Sequence, residues 1–181
     1  LQLEKPRPPA KPAGWALWQL GFRPFYLLAS SFAALSIALW ALQYAGWLPL
    51  PYLQGPIWHA HEMLFGFALA VIVGFLLTAG RNWSNQPTPT GWPLAALALL
   101  WLAARVLVLR PYGWAAAAAN VAFPLAAAAA LARPFIAARN RRNYFFVGLL
   151  LLLATAALGV HLQMLGVITV PGWAGIQLAL R

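Results

Sequence analysis

Three histidines and one glutamate carry most of the chemistry this chain could perform. His59, Ala60, His61 and Glu62 follow one another, and His161 stands a hundred residues on. These are all the histidines of the chain, and Glu62 is its only acid besides Glu4 near the start. Neutral imidazole suits haem iron and copper. The chain has no cysteine, so thiolate metal sites, Cys-ligated iron–sulfur clusters, covalent c-type haem and disulfides are excluded. Three metal-ligand candidates follow: His59, His61 and His161. On a helix His59 and His61 lie about 200° apart, so if both act they serve different partners, or the helix begins only after His59. His61 facing His161 across two helices would suit a haem with two axial imidazoles. Ala154 and Ala157 share the His161 face and are small enough to admit a flat macrocycle. The plainer alternative makes each histidine an interfacial residue bonded to a carbonyl or water.

Glu62 opens a ladder of small residues at four-residue spacing, Gly66, Ala70, Gly74 and Thr78, which reads as a close helix-packing face. An acid beside such a face needs a partner, and Arg105 is the best-placed cation. A Glu62–Arg105 ion pair is therefore expected. The functional alternatives make Glu62 the residue that orients a histidine ligand or handles protons near a cofactor, and give Arg105 or Arg110 to haem propionates.

The elements that must position these groups are membrane spans. Of 181 residues 63% are hydrophobic and 8% charged, against roughly 25% charged in soluble domains. Apolar runs over 25–44, 61–80, 92–109, 114–132 and 144–166 each approach or exceed the ~20 residues that cross a bilayer. The expected fold is an all-α, polytopic transmembrane bundle of five spans, with the start of a sixth over 173–181. Residues 1–24, basic and Pro-rich, read as a cytoplasmic tail, and 25–181 as one transmembrane domain.

The net charge of +10 raises nucleic acid as a partner, but its distribution rejects that. Lys5, Arg7, Lys11, Arg23, Arg81, Arg133, Arg139, Arg141 and Arg142 occupy the tail and alternate loops. No basic face is interleaved with stacking aromatics. The positive-inside rule then puts the N-terminus in the cytoplasm of a multi-pass inner-membrane protein. Trp47, Trp58, Trp114 and Trp173 fall at the outer edge, and Trp15, Trp18, Trp83 and Trp92 at the inner one, as interfacial anchors among membrane lipids. Arg23, before span one, and Arg81, closing span two, are assigned to anchoring. In this topology His59, His61, Glu62, Arg105 and His161 all fall in one outer layer. Polar groups are rarely kept in a bilayer without a partner or a task.

Gly-Phe-Arg-Pro-Phe-Tyr at 21–26, Trp-His-Ala-His-Glu-Met-Leu-Phe-Gly-Phe at 58–67 and Gly-Phe-Leu-Leu-Thr-Ala at 74–79 resemble the N-terminal half of NnrS proteins. The resemblance implies a haem- and copper-containing bacterial membrane protein linked to denitrification and to nitric oxide, with nitric oxide or another small gas as its ligand. It supports His59, His61 and Glu62 as site residues, and His161 more weakly. Members of that family are longer, so it also implies a missing C-terminal half or a partner subunit. Two rival functions remain open on the residues alone: a transporter or permease, and a cofactor-free assembly or scaffolding protein working through the small-residue ladder.

Overall fold

The computed structural model describes residues 16–49, 52–53 and 55–169. Every regular element among them is a helix. A short 3-10 turn, Ala16–Gln19, leads into α1, Phe22–Tyr44. After a connection containing Tyr52 and Leu53 comes α2, Gly55–His61, which continues through a π-helical segment, Glu62–Ala68, into α3, Leu69–Ser84. The rest is α4, Trp92–Val108, α5, Gly113–Ala137, a 3-10 turn Arg141–Asn143, and α6, Tyr144–Met164.

Four stretches are long and apolar enough to cross a membrane: Phe22–Tyr44, Gly55–Ser84, Gly113–Ala137 and Arg141–Met164. The fifth expected span, Trp92–Val108, is also an apolar helix but has only 17 residues, about 25 Å at 1.5 Å per residue. The expected start of a sixth span, the basic tail residues Lys5, Arg7 and Lys11, and Trp15 and Trp173 lie outside the described residues.

Boundaries move where local chemistry allows. The first helix begins at Phe22, ahead of residue 25, since Pro24 sits in its first turn, where a missing N–H costs nothing. The second begins six residues early, at Gly55, so both His59 and His61 stand on helix. It ends at Asn85, whose φ of 49° is the left-handed C-cap conformation that asparagine tolerates. The long α5 runs past residue 132 and carries Pro124 and Pro134 inside it.

Close backbone approach holds the helices together, because lipid offers no hydrophobic reward for bringing apolar helices side by side. The small-residue ladder, with Gly80 beyond it, supplies that surface. A Cβ on Gly74 would stand 2.8 Å from Phe25 Cβ and 3.3 Å from Phe22 Cα of α1, and one on Gly80 would stand 2.7 Å from a Leu131 methyl of α5. Thr78 Oγ1 accepts the Phe22 backbone N–H at 2.9 Å and donates to the Gly74 carbonyl at 3.0 Å. One helix thus satisfies an orphan donor at the start of another. The alanine runs of α5 serve likewise: Ala116, Ala117, Ala127 and Ala128 are buried, and α5–α6 is the most extensive helix contact.

The flanks are the reverse. Leu27 and Leu35 on α1 and Phe145 and Leu152 on α6 are more than half exposed, an apolar surface that suits acyl chains. Trp47, Trp92 and Trp114 are exposed as membrane anchors would be. Trp58 is not. It lies 1% exposed in a small apolar cluster with Leu53, Val108 and Ala116, because the early helix start turns it inward. The expectation of an interfacial anchor at Trp58 is corrected accordingly.

Candidate functional site

The buried ionisable residues among the described helices gather at one end of the bundle, the end remote from Arg81, Arg139, Arg141 and Arg142. His61 closes α2, Glu62 opens the π-helical turn, Arg105 lies in the last turn of α4, and His161 in that of α6. All four are buried, His161 completely.

The two imidazoles face each other. His61 Nε2 and His161 Nε2 are 3.3 Å apart, with the ring planes inclined at 76°. Each ring is held by its other nitrogen. His61 Nδ1 lies 2.8 Å from Glu62 Oε1, and His161 Nδ1 lies 2.8 Å from the Tyr52 hydroxyl. A carboxylate can only accept, so His61 carries its proton on Nδ1. In that tautomer Nε2 points its lone pair at His161.

Glu62 is shared. Its second oxygen accepts Arg105 Nη1 at 2.9 Å, which establishes the expected ion pair. Arg105 Nη2 donates to Asn120 Oδ1, and Asn120 Nδ2 donates to the Ala116 carbonyl at 2.9 Å, tying the network to α5. The guanidinium carbon lies 5.8 Å from the Trp101 ring centroid and 6.0 Å from that of Phe32, within range of cation–π attraction. Both terminal nitrogens of Arg105 are thus committed inside the protein, whereas Arg110 is exposed. Such a pair is worth little against apolar residues of equal volume, but removing one partner strands a buried charge at about 3–5 kcal/mol.

Glu62 is the first residue of the π-helical turn. Its widened backbone is a common device at functional sites. Its Gly66 carbonyl accepts Trp101 Nε1 at 3.0 Å. A side chain at Gly66 would meet Phe32, Arg105 and Glu62 at once, so the bare glycine lets the guanidinium approach.

The other sequence candidates lie apart from this centre. His59 turns away from His61 and stacks on Trp40 of α1, centroids 4.3 Å apart at 14°. Its Nδ1 has no partner among the described residues. Ala154 and Ala157, expected to open a face for a macrocycle, are closed over by packing at 2% and 0% exposure. Among the described residues no group of three or more His, Asp or Glu is placed to hold a metal ion.

Two members of the network escaped the sequence reading. Asn120 carried a signal, a lone amide beside an alanine run inside a span. Tyr52 carried none, being a connection residue whose partner is 109 positions away.

A family model described as NnrS protein matches residues 16–181. The chain belongs to the NnrS family. The match takes in His59, His61, Glu62, Arg105, Asn120 and His161, so the whole buried network lies within the NnrS region. No curated protein and no solved structure matches this NnrS chain.

Proposed function

We propose that this chain serves the bacterial response to nitric oxide as a metal-binding membrane protein, with His61 and His161 holding one copper ion. The family supports the nitric oxide setting. One observation carries the site: two buried imidazole nitrogens face each other at 3.3 Å while both opposite nitrogens are engaged.

The donor set fits. With metal–nitrogen bonds of about 2.0 Å, a 3.3 Å separation subtends an angle of about 110° at the ion, close to tetrahedral. Imidazole is a ligand type copper accepts. Glu62 behind His61 is the carboxylate that commonly orients a ligating histidine. Two protein donors leave coordination positions open, which a small gas needs. A haem with both imidazoles axial fits less well, because its nitrogens would stand about 4 Å apart and the packing at Ala154 and Ala157 leaves no slot for the ring. The close imidazoles and the packing at Ala154 and Ala157 thus favour copper over the haem implied by the family between these two rings. Glu62 keeps His61 in the ligating tautomer, Arg105 balances Glu62, and the surrounding side chains exclude water. Bound copper would supply a redox-active centre able to take nitric oxide.

The clustered arginines support, by the positive-inside rule, a cytoplasmic position for the other end of the bundle, and with it a reading of this site as near the outer face of the inner membrane and of Trp92–Val108 as a short fifth span. The test is metal analysis of purified protein, with a pyridine haemochrome assay beside it. The expected result is copper near one equivalent, lost in His61→Ala and His161→Ala and kept in His59→Ala, with a copper spectrum that nitric oxide shifts. Copper-free protein, or copper indifferent to both substitutions, refutes the assignment.

A further inference from the structure

Both imidazoles of the pair are clamped from behind, but by different kinds of residue. Glu62 belongs to the same helix as His61, so its position follows from the chain. Tyr52 belongs to no helix. It comes from the connection between α1 and α2 and reaches His161 near the end of α6, where its hydroxyl lies 2.8 Å from Nδ1. The two rings run nearly parallel, 8° apart, with centroids at 5.8 Å.

The packing around Tyr52 is arranged to hold that ring. Gly113, the first residue of α5, has no side chain there. A Cβ at this position would stand 2.9 Å from Tyr52 Cε2, 3.3 Å from Cδ2, and 2.8 Å from a Leu165 methyl. The glycine thus opens the space in which the Tyr52 ring and Leu165 meet.

A buried imidazole can rotate about its Cβ–Cγ bond and present a C–H instead of a nitrogen. A partner at Nδ1 prevents that, and a hydroxyl there can accept the Nδ1 proton when Nε2 is to be left bare. For His161 to offer a lone pair at Nε2, the proton must sit on Nδ1 and be accepted by an oxygen. The Tyr52 hydroxyl is the oxygen present.

We propose that Tyr52 is the positioning residue of His161, aiming its Nε2 at His61, so that the α1–α2 connection completes a site otherwise built from membrane helices. This rests on the reading of the histidine pair as a metal site. Tyr52 touches no ligand itself and acts only through the ring it orients.

The test uses Tyr52→Phe, which keeps the ring and removes the oxygen, and Gly113→Ala, which displaces the ring. In purified full-chain protein, copper affinity measured by competition with a colorimetric chelator should fall about 10–100-fold in both, with Tyr52→Phe still folded and unfolding cooperatively. A second readout needs no metal. Diethyl pyrocarbonate modification of His161, followed by peptide mass spectrometry, should rise several-fold in Tyr52→Phe while His59 modification stays constant. If wild type binds copper and Tyr52→Phe binds it equally well, the positioning role is overturned. If wild type binds no copper, the metal reading fails instead, and the modification experiment decides the role of Tyr52: a rise at His161 upholds it and no change overturns it.

Discussion

Replacing Gly66 by alanine tests the buried network at its tightest point. The new methyl would stand 2.5 Å from Phe32 Cε1, 2.8 Å from Arg105 Nη1 and 3.2 Å from Glu62 Oε2, where carbon contacts are comfortable at about 3.5–4.0 Å. Phe32 can yield only by disturbing the α1 interface, and Arg105 only by leaving Glu62. Overpacking alone costs about 1–3 kcal/mol, and a full loss of the ion pair about 3–5 kcal/mol. The gain from replacing a helical glycine is about 0.5–1 kcal/mol. A net loss of about 2–4 kcal/mol follows, or about 5–15 °C in unfolding temperature for a chain of this size. Gly148 is the control, because a Cβ there meets nothing within 4 Å, and Gly148→Ala should be neutral or slightly stabilising. The assay is thermal unfolding in detergent, followed by circular dichroism. Equal unfolding temperatures for Gly66→Ala and Gly148→Ala would falsify the placement of Arg105 against the π-helical turn.

Further outcomes follow from the same contacts. Glu62→Ala strands Arg105 and should cost about 3–5 kcal/mol, while Glu62→Ala combined with Arg105→Met should recover most of it; a double variant no better than the single one argues against the pair. Asn120→Ala leaves one Arg105 nitrogen unsatisfied and should cost about 1–3 kcal/mol, read by the same unfolding assay. Thr78→Val removes the acceptor for the Phe22 N–H and should lower stability by about 1 kcal/mol, with faster hydrogen exchange at the start of α1; unchanged exchange there speaks against the cap. His59→Ala loses its stacking on Trp40 and should leave copper content intact, whereas copper loss in this variant would move the site to the other side of the helix.

How much of this was legible in sequence depended on what each signal measured. Apolar run length reports bilayer crossing, so the helices were located well and their ends poorly. The early start at Gly55 lies beyond what hydropathy can see, and with it went the inward turn of Trp58. Glu62 and Arg105 could be paired from residue types and topology alone, because a bilayer offers a buried acid so few cations. His61 and His161 could be set at one depth by topology, which left their separation open. The 3.3 Å gap is an effect of tertiary packing between helices far apart in the chain. The π-helical turn and the reach of Tyr52 have no periodic signature at all.

The most direct test of the proposed centre is X-ray absorption at the copper edge on the copper-loaded protein, which reads the metal in either oxidation state. Wild type should show two imidazole nitrogens at about 2.0 Å, and His161→Ala should show one or none. A copper shell without imidazole scattering, or one identical in the two proteins, would contradict a copper ion held between His61 and His161.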